Sequence, residues 1–229
     1  MRLFPILSLL YFLVLGVEIY AETTGNLPLV WLTKPVLMPV LLVLFLLNAG
    51  KNPSKERLFF AVALVFSLGG DVFLMFKKEE FFIFGLGSFL LGHLAYILSF
   101  SGRIRDARVS TGEKVLTALP FVAFVVAFLA YMYPYITAQP KTEPLLAPVC
   151  VYASVIGLMG FTAVLRRKGV SPQGFWWVLG GALLFIVSDS CIALNMFVAP
   201  LPEPGLIIMS TYGVAQYLMT VGTLKSNKA

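Results

Sequence analysis

The sequence predicts an all-α membrane protein, a single polytopic bundle of eight transmembrane helices with both termini cytoplasmic. Three observations lead there. Of the 229 residues, 59% are hydrophobic and only 12% charged, with a mean hydropathy of +0.90, whereas a soluble domain carries roughly 25% charged residues and a chain this short has too little interior to hide so much apolar surface. The apolar residues form continuous blocks near the ~20 residues that a spanning helix needs, not the ~10-residue alternating segments of an outer-membrane barrel. Lys and Arg gather in alternate loops.

The first block, 3–21, follows Arg2 and runs to Ala21 without the short apolar core and cleavage site of a signal peptide, so it reads as a retained span. Blocks at 31–48, 58–76, 81–100, 114–133, 145–165, 175–198 and 204–224 complete the set. Breaks at Asn52-Pro53, Gln139-Pro140 and Ala199-Pro200-Leu201-Pro202 separate several of them. No linker is long enough to divide the chain, so residues 1–229 form one transmembrane domain. Counting basic residues on alternate faces puts Arg2, Lys51, Lys55, Arg57, Arg103, Arg105, Arg108, Lys114, Arg166, Arg167, Lys168, Lys225 and Lys228 on one side, thirteen of the 17. Lys77, Lys78 and Lys141 lie on the other, and Lys34 is left near the start of helix two. The basic side is cytoplasmic by the positive-inside rule. The net charge of +6 is then explained by this bias and by anionic lipid headgroups, so no nucleic-acid partner is called for.

Composition also excludes several classes. High hydrophobicity rules out a disordered chain, and two cysteines, Cys150 and Cys191, rule out a disulfide scaffold. The lone histidine, His93, cannot build a multi-histidine zinc site. There is no Gly-x-Ser-x-Gly elbow, phosphate loop, His-Glu-x-x-His or dinucleotide fingerprint. Neither a metal nor an organic cofactor is expected.

Charge inside a bilayer is costly and therefore marks function. Of the 11 acidic residues, Asp71 and Asp189 lie well within apolar helices; Glu18 sits near the end of helix one, and Glu22 and seven others lie in or beside loops. Each aspartate follows a small residue, Gly70 or Ser188, that admits a close neighbour. Helices three and seven are parallel, and at 1.5 Å rise per residue Asp71 lies roughly 8 Å and Asp189 roughly 13 Å from the non-cytoplasmic ends. The pair is expected to face one pocket. Lys34 enters from the same side, His93 and Tyr96 share a face of helix four at i, i+3, and Tyr212 and Gln216 do so at i, i+4 on helix eight. Lys34 also suits a structural ion pair or snorkelling to the interface, and His93 a hydrogen-bonded core position. Two midmembrane acids and a hint of four-helix duplication also fit a proton-coupled transporter of a small or lipid-like substrate.

Gly70-Asp71, Gly92-His93-Leu94-Ala95-Tyr96, Ser188-Asp189 with Ile192-Ala193-Leu194-Asn195, and Ile208-Met209-Ser210-Thr211-Tyr212-Gly213-Val214-Ala215-Gln216 together resemble the YhhN-type lysoplasmalogenase family, and Lys34-Pro35 fits its helix-two motif. The similarity runs from about Lys34 to Thr220. Gly213 departs from it, since vertebrate members tend to carry a second tyrosine there. The resemblance implies hydrolysis of the vinyl ether bond of lysoplasmalogens to a fatty aldehyde and glycerophosphocholine or glycerophosphoethanolamine. It further implies a lysophospholipid substrate and residence in a bacterial inner membrane or, in a eukaryote, the endoplasmic reticulum. On that reading Asp71 and Asp189 are the catalytic acid and base, while Lys34, His93, Tyr96, Ser188, Tyr212 and Gln216 bind substrate.

Overall fold

In a computed structural model, described for residues 3–50, 54–76, 79–107 and 109–227, the chain is built from eight α-helices. They are α1 (Leu3–Thr24), α2 (Leu27–Asn48), α3 (Lys55–Met75), α4 (Glu79–Ala107), α5 (Thr111–Thr137), α6 (Leu146–Leu165), α7 (Pro172–Phe197) and α8 (Pro204–Leu224). Short 3-10 turns precede and follow α6, and no strand occurs among the described residues. Arg2, Lys51, Lys77, Lys78, Arg108 and Lys228, and the side chain of Arg105, all used in the charge count, lie outside the described residues.

Seven helices, α1 to α7, are long and apolar enough to cross a membrane. The eighth falls short in apolarity although it is as long as α3, at 21 residues. Its place in the bundle gives the reason. Tyr212, Gln216, Thr220 and Thr223 are all buried against neighbouring helices, so α8 exposes little surface that would need to be hydrocarbon-like. By contrast, α1 buries only Tyr11, Leu15, Glu18 and Ala21, one stripe at helical spacing, and exposes Leu9, Leu13, Val17 and Tyr20.

Two pairs of helices pack most closely, α3 with α4 and α7 with α8, four helices apart in the chain. Small residues permit both approaches. A Cβ at Gly70 would stand 2.5 Å from the Phe89 ring, and one at Gly181 would stand 2.7 Å from the Ala215 carbonyl oxygen and 2.9 Å from the Met219 nitrogen. The second obstacle is backbone and cannot rotate away. Gly181→Ala is therefore expected to push α7 off α8 and destabilise the bundle by about 1–3 kcal/mol, read as a lower thermal midpoint in detergent.

The α1–α2 connection is a two-residue hairpin that sets the site. Gly25 takes a left-handed φ of 66°, which ends α1, and the Asn26 side chain accepts from the Leu29 N–H to start α2. Antiparallel packing of α1 on α8 follows: Tyr11 donates to the Gly213 carbonyl at 2.8 Å and Tyr217 to Ser8 at 2.9 Å. A Cβ at Gly213 would meet Leu15 at 2.4 Å, so the absence of a second tyrosine there is what lets α1 lie close.

Candidate functional site

Asp71 and Asp189 line one cavity. It has a volume of about 430 Å³, lies at the end of the bundle where α3 and α7 finish and α8 begins, and also receives Glu22, Lys34, Ser188, Asn195 and Tyr212. Asp71 stands on the last turn but one of α3, and Asp189 two turns before the end of α7. Both are buried. Asp71 lies within electrostatic reach of Asp189, Lys34 and Glu18. The difference of one turn in their depth therefore does not separate them.

Each carboxyl has its own tyrosine. The Tyr212 hydroxyl donates to Asp71 Oδ2 at 2.9 Å, and the Tyr152 hydroxyl donates to Asp189 Oδ2. His93 approaches the same Asp189 oxygen from α4, with Nε2 at 3.3 Å, while its Nδ1 stands 2.6 Å from the Phe89 carbonyl oxygen one turn earlier. The imidazole is held between Phe185, at 4.7 Å, and Tyr152, at 5.3 Å between ring centroids. His93 is not itself on the cavity wall; it stands behind Asp189.

Lys34 lies two turns into α2 and is buried. Its ammonium pairs with Glu22 and lies 3.5 Å from Glu18, while Thr33 donates to the other Glu18 oxygen at 2.5 Å. Glu18 is wholly buried, and α1 continues to Thr24, about one turn beyond the predicted limit at Ala21, so Glu22 lies in its last turn beside the loop. Its side chain retains 29% exposure and forms part of the cavity wall. The Gly205 start of α8 packs against it, a Cβ there being 2.6 Å from that of Glu22.

Tyr96 and Gln216 form a layer beneath. Tyr96 donates to Gln216 Oε1 at 2.5 Å, and Gln216 Nε2 donates to Ser67 at 2.9 Å. All three are buried, and none is on the cavity wall. The i, i+3 pair on α4 therefore divides its work, His93 serving Asp189 and Tyr96 the layer below. Ser188 is on the wall, with its hydroxyl 3.2 Å from the Ile208 carbonyl oxygen, which accepts from it and ties α7 to α8.

Asp189 also borders a second, apolar space. A cleft of about 60 Å³ between α4, α5, α6 and α7 is lined by Leu86, Phe124, Phe128, Val149, Ala153 and Ile156, and shares Leu74, Phe82, Phe89, Asp189 and Ile192 with the cavity. A polar chamber and a hydrocarbon slot thus meet at one carboxyl. The described residues contain no group of three or more His, Cys, Asp and Glu suited to a metal ion.

Comparison with known proteins agrees with this arrangement of motifs. Residues 29–223 match the model of the YhhN family. Human lysoplasmalogenase TMEM86A is 35% identical over 193 residues, covering 81% of this chain and 74% of its own length. A lysoplasmalogenase of Mycobacterium tuberculosis is 30% identical over 204 residues, covering 88% and 73%, and a lysoplasmalogenase homolog of Dictyostelium discoideum is 30% identical over 170 residues. No solved structure matches. The family match begins inside α2, so Glu18 and Glu22 fall outside it. On the extent of that match and on two relatives that align along most of their length, the chain belongs to the YhhN family.

Proposed function

We propose that this protein is an integral membrane hydrolase of the vinyl ether bond of lysoplasmalogens, releasing a fatty aldehyde and glycerophosphoethanolamine or glycerophosphocholine by acid–base chemistry at Asp71 and Asp189. The observation that carries the reading is the pair of carboxyl groups on one buried chamber that adjoins an apolar cleft at Asp189. Its volume of about 430 Å³ is in the range of small-molecule sites, so the glycerophospho part is placed there and the vinyl ether end of the alkenyl chain at the cleft beside Asp189, with the rest of the chain running out sideways between the helices into lipid. All eight helices span the bilayer and the termini are cytoplasmic, because the basic loops lie at the opposite end. The chamber then opens towards the non-cytoplasmic leaflet.

The reaction closes on two carboxyls. One aspartic acid gives its proton to the outer alkene carbon, leaving an oxocarbenium ion at the ether carbon. The other, ionised, faces that cation and takes a proton from the attacking water, forming a hemiacetal. The hemiacetal hydroxyl returns its proton to the first aspartate as the carbonyl forms. The bond to the glycerol oxygen breaks, and that oxygen takes the proton held by the second. Ser188 and Tyr212 contribute polar contacts on the wall. Lys34 offers the headgroup phosphate an ammonium already paired with Glu18 and Glu22.

Two measurements test this. Purified protein given lysoplasmenylethanolamine in deuterium oxide should release aldehyde carrying one solvent deuterium at carbon 2, and in ¹⁸O-water the glycerol hydroxyl should remain unlabelled. Proton flux in vesicles with no aldehyde released would favour a carrier instead. Tyr152→Phe removes the hydroxyl that donates to Asp189, and leaving a buried acceptor without its donor costs about 1–3 kcal/mol. It is expected to slow turnover about tenfold to a hundredfold, with the protein still folded.

A further inference from the structure

The two aspartates have different surroundings, and the difference assigns their roles. Resting on the hydrolysis proposed above, we infer that Asp189 is the acid and Asp71 the base, with His93 the positioning residue that holds a proton against Asp189.

His93 Nδ1 is 2.6 Å from the Phe89 carbonyl oxygen. A carbonyl only accepts, so Nδ1 carries a hydrogen. The other nitrogen, Nε2, is buried without a hydrogen-bond partner and stands 3.3 Å from Asp189 Oδ2. With no proton between them, the bare lone pair of Nε2 would face a carboxylate oxygen in a water-poor interior, which is the arrangement such an interior penalises most. A proton carried by either atom, Nε2 or Oδ2, removes that clash. The groups facing the imidazole are few. Asp189 and Phe185 come from α7 and Tyr152 from α6, and Tyr152 donates to the same Oδ2. Among the described residues, Asp189 is the charged group paired with His93.

Asp71 has no such partner. Its Oδ2 accepts from Tyr212 at 2.9 Å, and Lys34 lies within electrostatic reach, so it has a donor and a cation and no imidazole. The cavity wall that it shares with Lys34 and Tyr212 places it to face the developing cation and to accept the water proton. In the first step the proton held by the Asp189–His93 pair forms the new C–H bond, leaving the pair one proton short; the hemiacetal hydroxyl restores it.

The chain has one histidine, which makes the claim readable by spectroscopy without any variant. Protein labelled with ¹⁵N in its imidazole should show Nδ1 bonded to hydrogen and Nε2 displaced from the position of a bare nitrogen. Asp189→Asn, whose amide can donate a hydrogen bond to Nε2 but cannot pass it a proton, should bring Nε2 into the range of an unprotonated acceptor, and Asp71→Asn should leave it unchanged. A second arm uses a lysolipid with a protonated secondary amine in place of the vinyl ether, a stable mimic of the cation. It should bind Asp71→Asn at least about tenfold more weakly than the parent chain and Asp189→Asn within about threefold. A hydrogen on Nε2 with Nδ1 bare, or amine binding lost at Asp189 instead, overturns the assignment while leaving hydrolysis intact. Aldehyde release undiminished in both aspartate variants would remove acid–base chemistry at the pair and this assignment with it, whereas no aldehyde release by the parent chain would remove the hydrolysis reading itself.

Discussion

Asp71→Asn and Asp189→Asn are each expected to lower the rate of aldehyde release by roughly 10²–10⁴-fold, the usual contribution of a positioned acid or base. Asparagine keeps the shape of the side chain and most of its contacts. Its carbonyl oxygen can accept from Tyr212 at position 71 or from Tyr152 at position 189, and its amide can donate to His93 Nε2. The folded state is thus expected to persist, and thermal unfolding of each variant should stay within a few degrees of the parent, for a loss well under about 1–2 kcal/mol. What asparagine cannot do is exchange a proton. The parent pH–rate profile should be bell-shaped, with limbs that belong to the interacting pair, and each variant should lose the bell. Folded Asp→Asn protein that turns over at a near-parental rate would show that the carboxyls hold the bundle in register and do no chemistry.

The aspartates were legible in the sequence because a charge in the middle of an apolar run is rare and costly, and helix counting placed them at one end of two parallel spans. Lys34, Ser188 and Tyr212 were legible for a weaker reason, as polar residues at the same level, and they reach the same cavity wall. Tyr96 and Gln216 were drawn into that group by spacing alone. Periodicity gives a face but not the neighbour it meets, and their neighbours are each other and Ser67. Tyr152 could not be found from sequence. It is one of 9 tyrosines, and only the packing of α6 on α7 brings it to Asp189. The eighth helix shows the same limit from the other side: its polar residues weaken the hydropathy signal because the bundle, not lipid, surrounds them.

Glu18 had a signal that hydropathy obscured. Closing the first block at Ala21 put Glu22 outside the helix, yet Thr23 and Thr24 continue it, each donating its hydroxyl to the Tyr20 carbonyl. With α1 extended to Thr24, Glu18 and Glu22 become an i, i+4 pair on one face, and a Gly25-Asn26 turn folds Lys34 back onto them. Two acids one turn apart, a tight turn and a lysine early in the next apolar run together describe an ion-paired helical hairpin. The acids were the part of the site that a motif comparison could not supply, since the family match starts at residue 29.

That hairpin carries the second large effect. Lys34→Met is expected to cost about 3–5 kcal/mol of stability, the range for removing one partner of a buried ion pair. Glu18 is wholly buried, one of its oxygens held by Thr33 and the other, with no hydrogen bond of its own, 3.5 Å from the ammonium. Methionine fills much of the lysine volume and leaves Glu18 and Glu22 without their cation. The cost should therefore appear as uncompensated charge more than as a void. Neutralising the acids distinguishes the two causes. Lys34→Met combined with Glu18→Gln and Glu22→Gln should recover most of the loss, because no charge is then stranded, whereas a packing defect would persist in all three-site combinations. Thermal unfolding in detergent, followed by tryptophan fluorescence, reads the difference; Trp31 lies one turn before Lys34 on α2. A Lys34→Met protein as stable as the parent would mean that the ammonium is not what balances Glu18, and the cavity wall at Glu22 would then need another source of order.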